Sequence, residues 1–231
     1  MERKTTLLIG FFIAVAVISV AGFFNSYLRF LPDTERFPAV IHVHFAAFIS
    51  WFLLIIVQPV LIRAKKYELH RRIGKLSYFI APVLVVTILI LVNDQTNRIL
   101  HVSEKEATVS AFIGTLDAIS FSVYYIVAMI NKRNLRWHIT FLIAATLVVL
   151  NPGMSRLLNF IKPGLGLPAA VLLPFIATIT ILFIEKLKYK RPVLKSPYFI
   201  FLCCWTVEIG LLMTIPSTEL WKDFVLNYYA E

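Results

Sequence analysis

The sequence predicts an all-helical, polytopic membrane protein, and three observations support this fold class. Of its 231 residues, 59% are hydrophobic and only 16% are charged, and the mean hydropathy is +0.79. Soluble domains are about 45–50% apolar and about 25% charged, so one soluble core could not bury this much apolar surface. The apolar residues also fall into runs of about 20, the length that crosses a bilayer core about 30 Å thick. The composition therefore argues against a disordered chain, a disulfide scaffold or an ordinary cytosolic enzyme.

Seven apolar segments qualify as membrane spans. They comprise approximately residues 7–24, 39–62, 76–92, 109–130, 139–158, 168–184 and 197–215. The first resembles a cleavable signal peptide in its basic start, but its apolar run continues through Phe24, so we expect a retained helix. Residues 93–108 then form the longest outer loop, which is too short to fold alone. We expect residues 1–231 to form a single transmembrane helical domain of about seven helices.

The basic residues alternate between loops and predict the orientation. Sixteen of the 23 Lys and Arg residues lie at the N-terminus or after the second, fourth and sixth spans, within residues 3–4, 63–75, 132–136 and 186–195. By the positive-inside rule, the N-terminus is cytoplasmic and the C-terminus lies outside. The net charge of +10 is thus explained by topology and by attraction to anionic lipid, and no nucleic-acid motif is present.

The sequence lacks the short motifs of several enzyme classes. The sequence has no Gly-x-Ser-x-Gly, His-Glu-x-x-His or P-loop motif. Its two cysteines, Cys203 and Cys204, are adjacent, so they provide neither a disulfide framework nor a zinc-type spacing. Any functional chemistry must therefore involve polar residues inside the spans or at their ends.

Span two carries a polar stripe. His44, Trp51 and Gln58 recur every seven residues and share one face of the helix, which we expect to face inward. His42 is two residues from His44, about 200° around the helix, and is expected to point elsewhere.

Further polar residues lie inside the other spans. Asp117 is about 12 Å into span four at 1.5 Å per residue. Asn151 and Arg156 flank a predicted helix break at Asn151-Pro152-Gly153, and Glu208 lies near the middle of span seven. Because ionisable groups in spans usually face the protein interior, we predict an outward polar cavity formed by His44, Gln58, Asp117, Asn151, Arg156 and Glu208. Such a cavity could bind a divalent metal through His44, relay protons or hold an anionic substrate. Alternatively, these groups only hold the helices together.

Two histidines on the cytoplasmic side suggest a haem site. His70 and His138 open spans three and five at nearly the same height, beside Arg71 and Arg136. Bis-histidine ligation requires two such imidazoles, and the arginines would suit the propionates of haem b. The alternative is that both histidines contact lipid headgroups.

Two stretches resemble a known group of proteins. One is His42-Val43-His44, Trp51, Gln58 and Leu69-His70-Arg71-Arg72-Ile73-Gly74. The other is Asp117 through Phe121, then Lys132-Arg133, His138 and Met154-Ser155-Arg156. Together, over about Pro38–Leu158, they resemble uncharacterised bacterial predicted membrane proteins. The histidine-containing turns are more distantly similar to those of oxidase-assembly membrane proteins and bundle-type b cytochromes. The resemblance implies a bacterial inner membrane location and a link to haem or the respiratory chain.

Three functions therefore stay open. The first is a haem- or metal-binding protein for electron transfer or respiratory-complex assembly. The second is an intramembrane enzyme or small-solute transporter with an outward-facing polar cavity. The third is a non-catalytic accessory subunit, with other membrane proteins or a second copy of the chain as its partners.

Overall fold

A computed structural model describes residues 2–229 and is helical throughout, with no strand in that range. Its α-helices are α1 (Glu2–Gly22), α2 (Ala39–Arg63), α3 (Tyr67–Gly74), α4 (Ser77–Leu100), α5 (Glu104–Ile130), α6 (Leu135–Ile161), α7 (Gly166–Tyr189), α8 (Pro197–Thr214) and α9 (Glu219–Tyr229). Short 3₁₀ turns separate several of them. The predicted all-helical class is confirmed.

Seven helical segments within the described range are long and apolar enough to cross a membrane. They are Thr5–Gly22, Ala39–Arg63, Tyr67–Leu100, Glu104–Ile130, Leu135–Ile161, Gly166–Tyr189 and Pro197–Ser217. The predicted number of spans is confirmed, and the protein is an integral membrane protein by the length and composition of these helices. The third segment joins the short helix α3 to α4.

The predicted outer loop at residues 93–108 is wrong. Helix α4 continues to Leu100 and α5 begins at Glu104, so only residues 101–103 connect them. Ser103 caps α5 by accepting a hydrogen bond from the Glu106 backbone N–H at 3.3 Å, which fixes the start of that helix. Polar residues end a hydropathy run, but they do not end a helix whose backbone stays hydrogen-bonded.

The predicted break at Asn151-Pro152-Gly153 is also wrong, because α6 is continuous from Leu135 to Ile161. Proline removes one backbone donor from a helix, and membrane helices tolerate this loss where neighbouring groups compensate.

The chain divides into two compact units. The first comprises the described residues up to Ile88 together with Val149–Gly166, and the second comprises Leu89–Val148 and the residues from Leu167 onward. In the first unit α1 crosses the last part of α6 at two glycines. A Cβ atom built on Gly22 would lie 1.8 Å from the Gly153 carbonyl oxygen, so the helix backbones meet directly. Trp51, only 1% exposed, lies in the core of this unit.

The second unit has an aromatic core and a peripheral helix. Tyr124 on α5 packs edge-on against Phe201 of α8, with ring centroids 5.3 Å apart. Helix α9 packs on α5, where Trp221 donates from Nε1 to the Thr108 carbonyl oxygen at 2.9 Å and Val225 is fully buried.

Candidate functional site

The site residues predicted from the sequence are divided between the two units. The first unit contains His44, Gln58, His70, Arg71, Asn151 and Arg156, and the second contains Asp117, Arg136, His138 and Glu208. The predicted six-residue cavity and the predicted histidine pair each draw on both units, so both stay predictions. The geometry within each unit defines what the individual side chains can do.

The polar stripe of α2 faces its own unit, as predicted. His44 bonds through Nδ1 to the Thr87 hydroxyl on α4, Trp51 is buried, and Gln58 bonds to groups on α3. His42 lies off this face, with its Nδ1 2.6 Å from the Tyr27 hydroxyl. Burial raises the pKa of Tyr27, because the phenolate form would lose its hydration.

The Thr87 contact favours one tautomer of His44. The Thr87 hydroxyl lies 2.5 Å from the Val83 carbonyl oxygen, its shortest contact with an acceptor. With its hydrogen donated to Val83, the hydroxyl accepts in the 2.8 Å contact with His44, and Nδ1 donates. The neutral imidazole consequently carries its lone pair on Nε2, the nitrogen available to a ligand, a metal or an incoming proton.

Arg156 is a cation of the first unit that lies within the membrane-crossing helix α6. Its guanidinium carbon lies 4.6 Å from the centre of the Phe23 ring, a cation–π geometry. No carboxylate among the described residues of this unit forms an ion pair with it. Its charge is close enough to act on His44, and its side chain is exposed. Arg156 thus combines a position within a membrane-crossing helix with the lack of an ion pair among the described residues of its own unit.

Asn151 contributes a second unsatisfied group to the same stretch of α6. Its residue is buried, and its Oδ1 atom has no hydrogen-bond partner among the described residues. A buried amide oxygen without a donor costs free energy unless water or a ligand supplies one. This oxygen is therefore an acceptor that the described residues do not saturate.

His70 lies on α3 beside Gln58. Two backbone groups fix the orientation of the Gln58 amide. Its oxygen accepts from the Gly74 N–H at 3.0 Å, and its nitrogen donates to the His70 carbonyl oxygen at 3.2 Å. In this orientation the Gln58 nitrogen also donates to His70 Nδ1. The neutral His70 ring therefore has its proton on Nε2, the opposite of His44. Arg71, its neighbour, is exposed.

His138 and Arg136 lie in the first turn of α6. His138 Nδ1 is 2.8 Å from the Ala128 carbonyl oxygen, which can only accept, so the neutral ring keeps its lone pair on Nε2. Arg136 donates to both oxygens of Glu185, at 2.9 and 3.0 Å. The guanidinium predicted to bind a haem propionate is thus engaged by a carboxylate of its own unit.

The two acidic residues of the predicted cavity differ in their surroundings. Asp117 is half-buried on α5. Glu208 on α8 accepts a hydrogen bond from the Tyr124 hydroxyl, and the Ser120 hydroxyl is also within hydrogen-bonding reach. Among residues 2–229, no group of three or more His, Cys, Asp and Glu side chains has the geometry to hold a metal ion.

Sequence reasoning missed three partners of these side chains. Thr87 and Phe23 are uncharged residues in apolar segments, and only helix packing reveals their contacts with His44 and Arg156. Glu185 had a visible signal, because it is an acidic residue directly before a run of basic ones. None of the protein-family models, curated proteins or solved structures with which we compared the chain matches it.

Proposed function

We propose that the protein binds a small carboxylate within its membrane-spanning helices, as a small-solute transporter or an intramembrane enzyme. The observation that carries this proposal is Arg156, a cation inside a span that forms no ion pair with any described carboxylate of its own unit. Charges inside a membrane are expensive, and they are usually retained where they bind a counter-charge. A guanidinium offers a carboxylate two parallel hydrogen bonds.

His44 adds a preference for one kind of carboxylate. Its Nε2 lone pair accepts a hydrogen bond, so a ligand with both a carboxylate and a hydroxyl donor would satisfy Arg156 and His44 together. A 2-hydroxy acid is the simplest compound with both groups. Phe23 supplies an apolar surface beside the guanidinium.

The orientation proposed from the basic loops places this site in the outer half of the membrane. Arg156 is five residues from the end of α6 and His44 is five residues from the start of α2, about 8 Å along each helix. With the N-terminus in the cytoplasm of a bacterial inner membrane, both helix ends lie on the outer side. The ligand would then arrive from outside.

The proposal is tested by thermal unfolding of the detergent-purified protein with lactate and with its uncharged amide, lactamide. A ligand at 100 times its Kd stabilises the native state by about 2.7 kcal/mol. We expect lactate to raise the Tm and lactamide to leave it unchanged. Arg156→Gln should abolish the lactate effect.

Arg29→Gln is the matched control, because Arg29 also lies over a phenylalanine, at 4.5 Å from the Phe30 ring centre, but lies outside the spans. The lactate effect should survive in this variant. An equal effect of lactate in wild type and Arg156→Gln would refute the proposed site.

The second candidate function is haem binding by His138, for electron transfer or respiratory-complex assembly. It is supported by the Ala128 contact, which leaves Nε2 as the ligating nitrogen. The other predicted residues fit less well, since His70 Nδ1 accepts from Gln58 and Arg136 is bound to Glu185. His70 could ligate through Nε2 only after that nitrogen lost its proton and the Gln58 contact was rearranged.

An absorption spectrum of the oxidised and dithionite-reduced protein tests the haem candidate. A Soret band that disappears in His138→Ala would support it. A featureless spectrum from cells supplied with haem would reject it, and would leave the carboxylate site and the accessory-subunit hypothesis.

A further inference from the structure

Two glutamates of the second unit, Glu185 and Glu208, have partners that are opposite in kind. Glu185 on α7 accepts from Arg136, from Arg191 at 3.2 Å and from the Ser196 hydroxyl at 2.7 Å. Two cations and a hydroxyl therefore surround a carboxylate that is 8% exposed as a residue. Such partners stabilise the anionic form of the carboxyl group.

Among the described residues of the second unit, the hydrogen-bond partners of Glu208 on α8 are hydroxyl groups. Tyr124 donates to it from α5, and Ser120, one turn earlier on α5, is the second hydroxyl within reach. On its own helix, Cys204 is a titratable neighbour one turn away, and the charge of Glu208 acts on it. No Lys, Arg or His among the described residues of this unit forms an ion pair with Glu208.

This environment accommodates both charge states of the carboxyl group. A hydroxyl can rotate, so Tyr124 and Ser120 can donate to a carboxylate, and either can accept from a protonated carboxyl. An arginine lacks this choice, because a guanidinium only donates. Glu185 is thus committed to one state, whereas Glu208 can change its state without losing its partners.

We infer that Glu208, with Tyr124 and Ser120, forms a proton-binding site inside the membrane. The group takes up a proton as a neutral carboxylic acid and releases it as a carboxylate held by two hydroxyl groups. This inference does not depend on the carboxylate site, because Arg156 and His44 belong to the other unit. A proton is the smallest coupling ion, so the site suits a protein that links proton movement to another event in the membrane.

Dicyclohexylcarbodiimide tests the inference, because it reacts with protonated carboxyl groups in apolar surroundings. The carboxyl O–H adds across one C=N bond to give an O-acylisourea, which rearranges to a stable N-acylurea, and no atoms are lost. Peptide mass spectrometry of the labelled, full-length protein then locates the adduct. We expect the adduct on Glu208 and not on Glu185, with at least tenfold selectivity, and a loss of labelling as the pH rises.

Glu185 is an internal control in the same wild-type molecule, so the comparison does not depend on whether a variant folds. Glu208→Gln should abolish the adduct, and Tyr124→Phe should increase labelling at alkaline pH because the carboxylate loses a donor. Equal labelling of both glutamates, labelling that does not change with pH, or no adduct on Glu208 in the folded protein would overturn the inference.

Discussion

The glycine crossing of α1 and α6 predicts a sharp loss of stability when a single methyl group is added. In Gly153→Ala the new Cβ would lie 2.5 Å from the Ser19 carbonyl oxygen and 2.7 Å from the Ser19 Cα atom. Both are backbone atoms, so no side chain can rotate away. An ordinary contact begins at 3.4 Å, so the two helices must separate by about 0.9 Å.

The magnitude follows from two opposing effects. Overpacking of this kind costs about 1–3 kcal/mol, whereas replacing glycine by alanine in a helix returns about 1 kcal/mol. We therefore expect Gly153→Ala to lower the free energy of unfolding by up to about 2 kcal/mol, and to be about 1–3 kcal/mol less stable than a Gly→Ala change that meets no neighbour. Gly22→Ala should cost more, because its Cβ would meet the Gly153 carbonyl oxygen at 1.8 Å.

Gly10→Ala provides the matched control on α1. A Cβ atom at Gly10 meets nothing within 4 Å among the described residues, so only the helix-propensity gain remains. Denaturant unfolding in detergent, followed by tryptophan fluorescence, measures all three variants. If Gly153→Ala is as stable as Gly10→Ala, the two helices do not meet at their backbones and the reasoning fails.

Three further predictions concern the second unit and the topology. Glu185→Gln should destabilise the protein by about 1–3 kcal/mol, because Arg136 and Arg191 lose their shared carboxylate. Glu68→Gln is the control, because it removes an exposed ion pair with Arg72 and should change the free energy of unfolding by less than about 0.5 kcal/mol. An equal loss of Tm in Glu68→Gln and Glu185→Gln would contradict the structural role of Glu185. Trp221→Phe keeps an aromatic ring against α5 but removes the hydrogen bond to Thr108, so we expect a loss of about 1 kcal/mol in the same unfolding experiment, and no loss would argue against that bond. The orientation is tested in a variant without Cys203 and Cys204, into which a single cysteine is introduced at Val102 or at Glu68. A membrane-impermeant maleimide applied to intact bacterial cells should label the cysteine at Val102 and not the one at Glu68. The reverse pattern would invert the proposed orientation.

The sequence predicts the spans well because apolar composition and bilayer thickness are enough to locate them. It predicts helix ends less well, since α4 continues to Leu100 through polar residues that remain hydrogen-bonded. Pro152 shows the same limit, because a residue that weakens a helix does not end one whose remaining bonds hold it.

The candidate site depends on rotation and packing, which the sequence does not record. The seven-residue spacing of His44, Trp51 and Gln58 correctly predicts an inward face of α2, because that spacing belongs to one helix. The partners Thr87 and Phe23 belong to other segments, and no periodicity within α2 or α6 can reveal them. Likewise, the contacts that distinguish Glu185 from Glu208, with Arg136 and with Tyr124, come from other helices.

The hydrogen bond between His44 and Thr87 also limits the routes by which charge can travel. Beyond Nδ1 the chain of donors runs through the Thr87 hydroxyl to the Val83 carbonyl oxygen, and it ends there because a backbone carbonyl has no proton to pass on. Among the described residues, a proton that reaches the His44 ring at Nε2 has no onward carrier while the Thr87 hydroxyl donates to Val83, and it leaves by the same nitrogen. In this arrangement His44 stores a proton and returns it to the side from which it came.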